Sequence, residues 1–215
     1  MQKVKLGNSD LEITPIVFGA WAIGGWMWGG NDDRDAIRAI HASLDHGVTS
    51  IDTAPIYGMG HSEKLVAEAL KNTPRDKVEI LTKFGMRWDL DKGDFAFDSK
   101  MNDGTPVRIT KYGGKESVMK EVEDSLKRLN IDYIDLYQMH WPESTTPIEE
   151  TMEALERLLE QGKIRAAGVC NYDAEQMQEA EKVIRLASNQ VPYSMVLRDI
   201  EKDVVPYVQE HGNGI

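Results

Sequence analysis

Four ionisable residues stand at or just beyond short apolar runs. Asp52 follows Thr49-Ser50-Ile51, Tyr57 lies in the stretch just after it, Lys83 follows Glu79-Ile80-Leu81-Thr82, and His140 follows Ile134 to Met139. Together these groups could deliver a proton to a substrate oxygen. A free phenol has a pKa of about 10 and donates poorly at neutral pH, but an ammonium beside it stabilises the phenolate and lowers that value. Lys83 is expected to do this to Tyr57. Asp52 is expected to keep the buried lysine charged and to fix its direction, a supporting role. His140 would hydrogen-bond the oxygen on which negative charge develops. Each residue alone has an ordinary explanation: Asp52 as a turn cap, Tyr57 as a wetted aromatic, Lys83 as a snorkelling chain, His140 as a hydrogen-bonded core histidine. Their conjunction on one rim argues for chemistry. A metal-dependent hydrolase could use Asp52, His61 and His140, but no His-x-His lies on the first strand and Lys83 would repel the cation, so no metal is expected.

These residues can meet only if strand ends converge. From Pro15 onward, apolar β-branched runs alternate with helical patterns, the rhythm of βα units around a parallel sheet. Strands are expected near Ile16–Gly19, Thr49–Asp52, Glu79–Lys83, Ile134–His140, Ala166–Asn171 and Ala187–Val191. Helices are expected near Asp33–Asp45, Ser62–Leu70, Glu116–Leu129, Ile148–Gln161, Ala174–Ile184 and Lys202–Glu210. Gly47 and Gly162 sit just past helix ends, where a left-handed residue is cheap, and Ser62 and Asp173 are placed to cap helices. The opening stretch from Lys5 to Ile13 reads as a hairpin that plugs the bottom of the barrel. The fold class is α/β, a TIM-type barrel with six of eight units, over one domain spanning residues 1–215. Its catalytic face is the one at the strands' C-terminal ends.

Two connections are too long to be mere links: 20–32, with Trp21, Trp26, Met27 and Trp28, and 84–115, with Trp88, Phe95, Phe97 and Tyr112. Such loops are functional or disordered, and their aromatic content disfavours disorder. They are expected to wall a substrate pocket that includes Trp21, Trp26, Trp28, Tyr57, Trp88 and Trp141; the alternative is a satellite core beneath the loops.

Composition narrows the partners. A net charge of −11 with scattered basic residues disfavours nucleic acid and anionic membranes. No run reads as a bilayer span, since the uncharged stretch from Ile16 to Gly30 is broken by five glycines. Cys170 is the single cysteine and the N-terminus lacks a signal-peptide core, so a cytoplasmic location is expected. Neither Gly-x-Gly-x-x-Gly after a strand nor a Gly-Lys-Ser/Thr loop occurs, so neither a Rossmann nor a P-loop nucleotide site is indicated.

Taken in order, Phe18-Gly19-Ala20-Trp21, Ile51-Asp52-Thr53-Ala54-Pro55-Ile56-Tyr57-Gly58, Leu81-Thr82-Lys83, Ile134 to Pro142 and Gly162 to Asn171 resemble the aldo-keto reductase family. The resemblance implies reduction of aldehydes or ketones with NADPH, with Asp52, Tyr57, Lys83 and His140 as the catalytic tetrad. It implies that Asn171 and Gln190 hold the nicotinamide carboxamide, with Gly19, Ala20, Trp21 and Asp52 beside the cofactor. Cys170 stands where the family more often has serine. The His-Trp-Pro turn and long third loop look closer to bacterial members and potassium-channel β-subunits than to aldose reductase. A cofactor-binding interaction module or an inactive fragment is therefore the alternative function.

A family barrel has eight units, and the chain stops where strand seven is due. The edges of strands one and six are then expected to be unpaired. A longer protein of which this is a part is favoured over a natural truncation or pairing of the open edges in a homo-oligomer.

Overall fold

The apolar β-branched runs form the strands, which in chain order are β1 (Val4–Lys5), β2 (Glu12–Ile13), β3 (Phe18–Gly19), β4 (Ser50–Asp52), β5 (Glu79–Phe84), β6 (Met86–Arg87), β7 (Asp94–Lys100), β8 (Pro106–Lys111), β9 (Ile134–Met139), β10 (Ile164–Cys170) and β11 (Asn189–Gln190). The helices are α1 (Asp33–Asp45), α2 (His61–Leu70), α3 (Lys115–Leu129), α4 (Ile148–Glu160), α5 (Ala174–Ala180) and α6 (Val204–His211). The structure is a computed structural model that describes every residue from Met1 to Ile215.

Six strands form one sheet in the order β3-β4-β5-β9-β10-β11, every neighbouring pair parallel. Sequential order with a helix between most neighbours is the winding of a β/α barrel, and the curled sheet is part of one. Because strand side chains alternate, each strand offers one row to the helices and one to the barrel interior. Phe84, Tyr137, Met139, Ala167 and Val169 face outward onto α3, α4 and α5 in the largest core cluster. Leu81, Leu136, Ala166 and Ala187 face inward, where Leu6, Leu11 and Ile13 of the β1–β2 hairpin close over them. The hairpin is thus the expected barrel plug. No helix is long and apolar enough to cross a membrane.

Several local expectations need correction. Ser62 does not cap α2: the helix begins at His61 after Gly60, and Ser62 Oγ instead donates to the Ala20 carbonyl at 2.7 Å and meets Thr53 Oγ1 at 2.9 Å. Asp173 does cap α5, in a reciprocal capping box with Gln176. That helix ends at Ala180, not Ile184: the next turn tightens, with Lys182 and Val183 N–H on the carbonyls three residues back, and the Glu181 carboxylate accepts from Leu186 N, Asn213 Nδ2 and Tyr207 Oη. The last expected helix divides into a 3-10 turn at Asp199–Lys202 and α6, whose Asp203 caps Val204 and whose Pro206 falls in the first turn, where its missing N–H costs nothing. Connection 84–115 is not a plain loop: β6, β8 and β7 form an antiparallel flap. The sixth-strand edge is not wholly bare, since Ser188 pairs in parallel with Gly214, with Asn189 N–H on Gly214 O at 3.0 Å.

Candidate active site

Inward-facing positions at the upper ends of the strands carry the polar residues. Asp52 closes β4 and Lys83 lies one residue from the end of β5, inside the curl. Lys83 is 2% exposed, and its Nζ donates to both Asp52 oxygens at 2.8 and 2.7 Å, to the Thr53 carbonyl at 3.0 Å and to Tyr57 Oη at 3.4 Å. Tyr57 is delivered by the tight turn that follows β4. Its carbonyl accepts from Ser62 N–H, and two glycines let the first loop abut that turn. A Cβ on Gly24 would lie 2.8 Å from the Tyr57 carbonyl oxygen, and one on Gly58, at φ +68°, would strike the Gly24 carbonyl. His140 follows β9 directly. Its N–H donates to Phe84 O, its ring meets Tyr57 edge-on at 5.8 Å, and its carbonyl accepts from Asn171 Nδ2 at 3.0 Å.

The charge states follow from this packing. Burial pushes Lys83 down, but Asp52 and then Tyr57 push it further up, so it is held above the ordinary ammonium range. For Tyr57 burial pushes up, and the opposing pull of Lys83 is smaller, so the phenol sits above its ordinary value. The lowering expected from Lys83 is therefore overruled: an ammonium shared with a carboxylate cannot offset loss of water around the phenol. Burial, then Lys83, holds His140 well below the usual imidazole value, so it is neutral at pH 7. Burial pushes the Cys170 thiol up to about 12, leaving it an un-ionised donor to Gln190 Oε1 at 3.5 Å.

Tyr57, Lys83, His140, Trp21, Trp26, Trp141, Asn171 and Gln190 line one cavity of about 440 Å³. Asp52 stands behind Lys83 and, with Gly19 and Gln190, lines a deeper hollow in the barrel interior. Trp21 lies over the Tyr57 ring at 5.9 Å and 23°. Three residues predicted for the site are placed otherwise. Ala20 is fully buried, with its N–H on Asp52 O and its carbonyl on Ser62, so it locks the strand end and has no polar group left for a ligand. Trp28 stands outside the cavity, edge-on to Trp21 at 5.5 Å. Trp88 packs instead on the small cluster of Trp26, Ala54, Ile56, Met86 and Ile109, the satellite core that was the alternative for the tryptophans. Met27, Ile56, Met86, Phe97, Cys170, Val191 and Pro192 complete the wall. Met27 and Phe97 lie in the two long connections expected to wall the pocket; Ile56, Met86, Val191 and Pro192 were missed as wall residues, being apolar and indistinguishable from core.

A curled parallel sheet with a Tyr-Lys-Asp-His cluster over its strand exits defines a β/α-barrel protein with a buried polar cluster on its C-terminal rim. A family model for the aldo/keto reductase family matches residues 15–215, and the chain belongs to that family. It is 42% identical over 212 residues to the aldo-keto reductase YhdN of Bacillus subtilis, covering 98% of this chain and 59% of the relative. It is 39% identical over 217 residues to the NADH-specific methylglyoxal reductase of Escherichia coli, covering 99% and 65%. Among solved structures, the glycerol dehydrogenase of Gluconobacter oxydans superposes with a TM-score of 0.85 at 42% identity, covering 98% of this chain and 61% of that one. An aldo-keto reductase from Klebsiella pneumoniae in complex with NADPH gives 0.77 at 31% identity, covering 99% and 66%. The chain thus spans less than two thirds of the length of these relatives.

The nicotinamide end of a cofactor can be tested against the residues present. A carboxamide needs one acceptor and one donor. Asn171 spends its Nδ2 on His140 O and retains Oδ1; Gln190 spends Oε1 on Cys170 and retains Nε2. Both face the cavity, and at Gly19 a Cβ would meet nothing within 4 Å, which leaves room alongside. The residues fit the group.

Proposed function

We propose that this protein reduces aldehydes or ketones to alcohols with NADPH, and that Tyr57 is the proton donor. The observation that carries the reading is the single buried ammonium of Lys83 held between the Asp52 carboxylate and the Tyr57 hydroxyl at a cavity of substrate size. When bound, the nicotinamide supplies the hydride to the carbonyl carbon. Asn171 Oδ1 and Gln190 Nε2 hold its carboxamide, with Gly19 and Trp21 alongside. His140, neutral in this setting, donates an N–H to the carbonyl oxygen and orients it against Tyr57. Tyr57 releases its proton to that oxygen, and Lys83 stabilises the phenolate that remains. Asp52 touches neither partner; it keeps Lys83 charged and aimed.

The substrate end is apolar. Trp21, Trp141, Phe97, Met27 and Met86 contribute no charge, and the cation present is committed to Asp52, Thr53 and Tyr57. That lining favours uncharged carbonyl compounds over carboxylates or phosphate esters. The test is the loss of NADPH absorbance with a panel of aldehydes, run in parallel with NADH because one relative carries an NADH-specific name. Turnover with either cofactor supports reduction, and the ratio decides the cofactor. Cofactor binding with no turnover of any aldehyde would leave a binding module in place of an enzyme.

A further inference from the structure

Beside the catalytic cavity lies a second hollow of about 830 Å³. The two share Trp26 and Met27, which form the partition between them. Their chemistry differs: 10 of 15 residues lining the catalytic cavity are hydrophobic, against 3 of 13 around its neighbour. The partition is built, not incidental. Trp26 donates from Nε1 to Ser99 Oγ at 3.1 Å and stacks on Phe97 at 6.1 Å and 16°. Met27 is held at φ +64°, a left-handed conformation that a non-glycine residue adopts at a cost and that clusters at functional positions.

Around the second hollow some polar groups are held by hydrogen bonds, the exposed Asp98 and Lys100 have no side-chain partner, and the charges balance. Asn31 and Asn102 spend their amide N–H groups on the Ile23 and Gly24 carbonyls, at 2.5 and 3.0 Å, which pins the loop and leaves each amide oxygen as an acceptor. His61 is oriented by Asp33 at 2.8 Å. Asp98 and Lys100 project from the same face of β7, two residues apart, and cancel in charge. Gly29 and Gly30 leave open space where side chains would stand. Mixed donors and acceptors with no net charge do not suit an ion. They suit a neutral group rich in hydroxyls, each of which can both donate and accept.

We propose that this groove is a subsite for a polyhydroxylated, uncharged tail, and that the substrate is an elongated amphiphile with its carbonyl in the apolar cavity and its tail beyond Trp26 and Met27. The substrate part rests on the carbonyl-reduction reading above; the subsite itself does not. Two measurements separate them. In titration calorimetry with hexyl β-D-glucoside, which carries no carbonyl, the protein should bind, and the exposed double variant D98A/K100A should bind at least about fivefold more weakly. No binding, or equal affinity in both proteins, overturns the subsite. In turnover, an aryl aldehyde bearing a glucosyl group should be reduced with a kcat/KM about tenfold above the unglycosylated aldehyde, and the variant should erase that preference. Turnover of both aldehydes without preference overturns the spanning substrate. If no aldehyde is reduced, the reductase reading fails and the calorimetry still decides the groove.

Discussion

Tyr57 is pulled in two directions, and which one prevails decides its chemistry. Burial raises the phenol more than Lys83 lowers it, so the proton stays in place through neutral pH and is available to a substrate oxygen. The turnover number for reduction is therefore expected to be flat through neutrality and to fall only at pH above about 10, the ordinary phenol value. A pH–rate profile that breaks at neutral pH would assign the proton to another group. Tyr57→Phe removes the donor and little else, so kcat should drop by about 10²- to 10⁴-fold while the cofactor Kd, read by fluorescence titration, stays nearly unchanged. Lys83→Met tests the support. It strands the Asp52 carboxylate, 8% exposed, without its partner, a loss of about 3–5 kcal/mol. Because Lys83 binds its proton more tightly folded than unfolded, its contribution is full below the free lysine value of about 10.4 and is lost as pH climbs through the higher folded value. The stability gap between wild type and variant, measured by urea unfolding, should accordingly narrow in the alkaline range.

The antiparallel flap of β6, β7 and β8 supplies Met86 and Phe97 to the cavity wall, and its root is a buried ion pair. Glu121 accepts from Gly85 N–H at 3.0 Å and from Ser117 Oγ at 3.0 Å, and it meets Arg87 Nη1 at 3.2 Å, both side chains 6% exposed. At the same end Asp94, which shares Lys111 as a pairing partner with Met86, takes Ser144 N–H and Oγ at 2.8 and 2.9 Å, tying the flap to the loop after β9. Arg87→Met leaves Glu121 buried and unpaired, so stability should fall by about 3–5 kcal/mol. KM for apolar aldehydes should rise more than kcat falls, because the flap shapes the pocket and touches no reacting atom; a pure kcat loss in steady-state kinetics would sink this role. The flap also shows where sequence reading ran out. The β/α units were legible because buried parallel strands are continuous apolar runs and their helices have a clear 3.6-residue period. Asp94 to Lys100 alternates only partly, with an irregularity between Phe95 and Phe97, and three of the seven residues of β7 and two of the six of β8 are exposed. Its Asp103-Gly104 turn was the available signal. Among site residues, those at strand exits could be placed from their spacing. Met86 and Pro192 could not, since only the path of the chain beyond the strand exits makes them a wall.

At the scale of the whole molecule, the first and last residues are built into one another. Gly7, in the turn of the plug hairpin, sits at φ +54° under the sixth strand, and a Cβ there would lie 2.5 Å from both Ala187 O and Gly214 N. Asn8 Nδ2 donates to His211 O at 3.2 Å, and Asn213 Nδ2 reaches both Glu181 and Leu186 O. Gly214 in turn receives Asn189 N–H and donates to Ala187 O, extending the sheet by one bridge beyond β11. The plug and the sheet share one inner apolar cluster that includes Leu6, Leu81 and Ala187, and the terminal turn is hydrogen-bonded to the sheet, so residues 1–215 are expected to unfold as one unit. Gly7→Ala tests that coupling. The alanine must hold a left-handed backbone, costing about 1–2 kcal/mol, and must displace two backbone atoms that belong to the other end of the chain. Stability in urea should fall by more than the backbone term alone, and amide hydrogen exchange should quicken at Asn189, whose partner Gly214 has to move. It should quicken more there than in α3, which packs on the outer face of the sheet and responds only to the loss of overall stability. If exchange at Asn189 is unchanged while the protein is destabilised, the two ends are merely adjacent and the sixth strand holds its position without the plug.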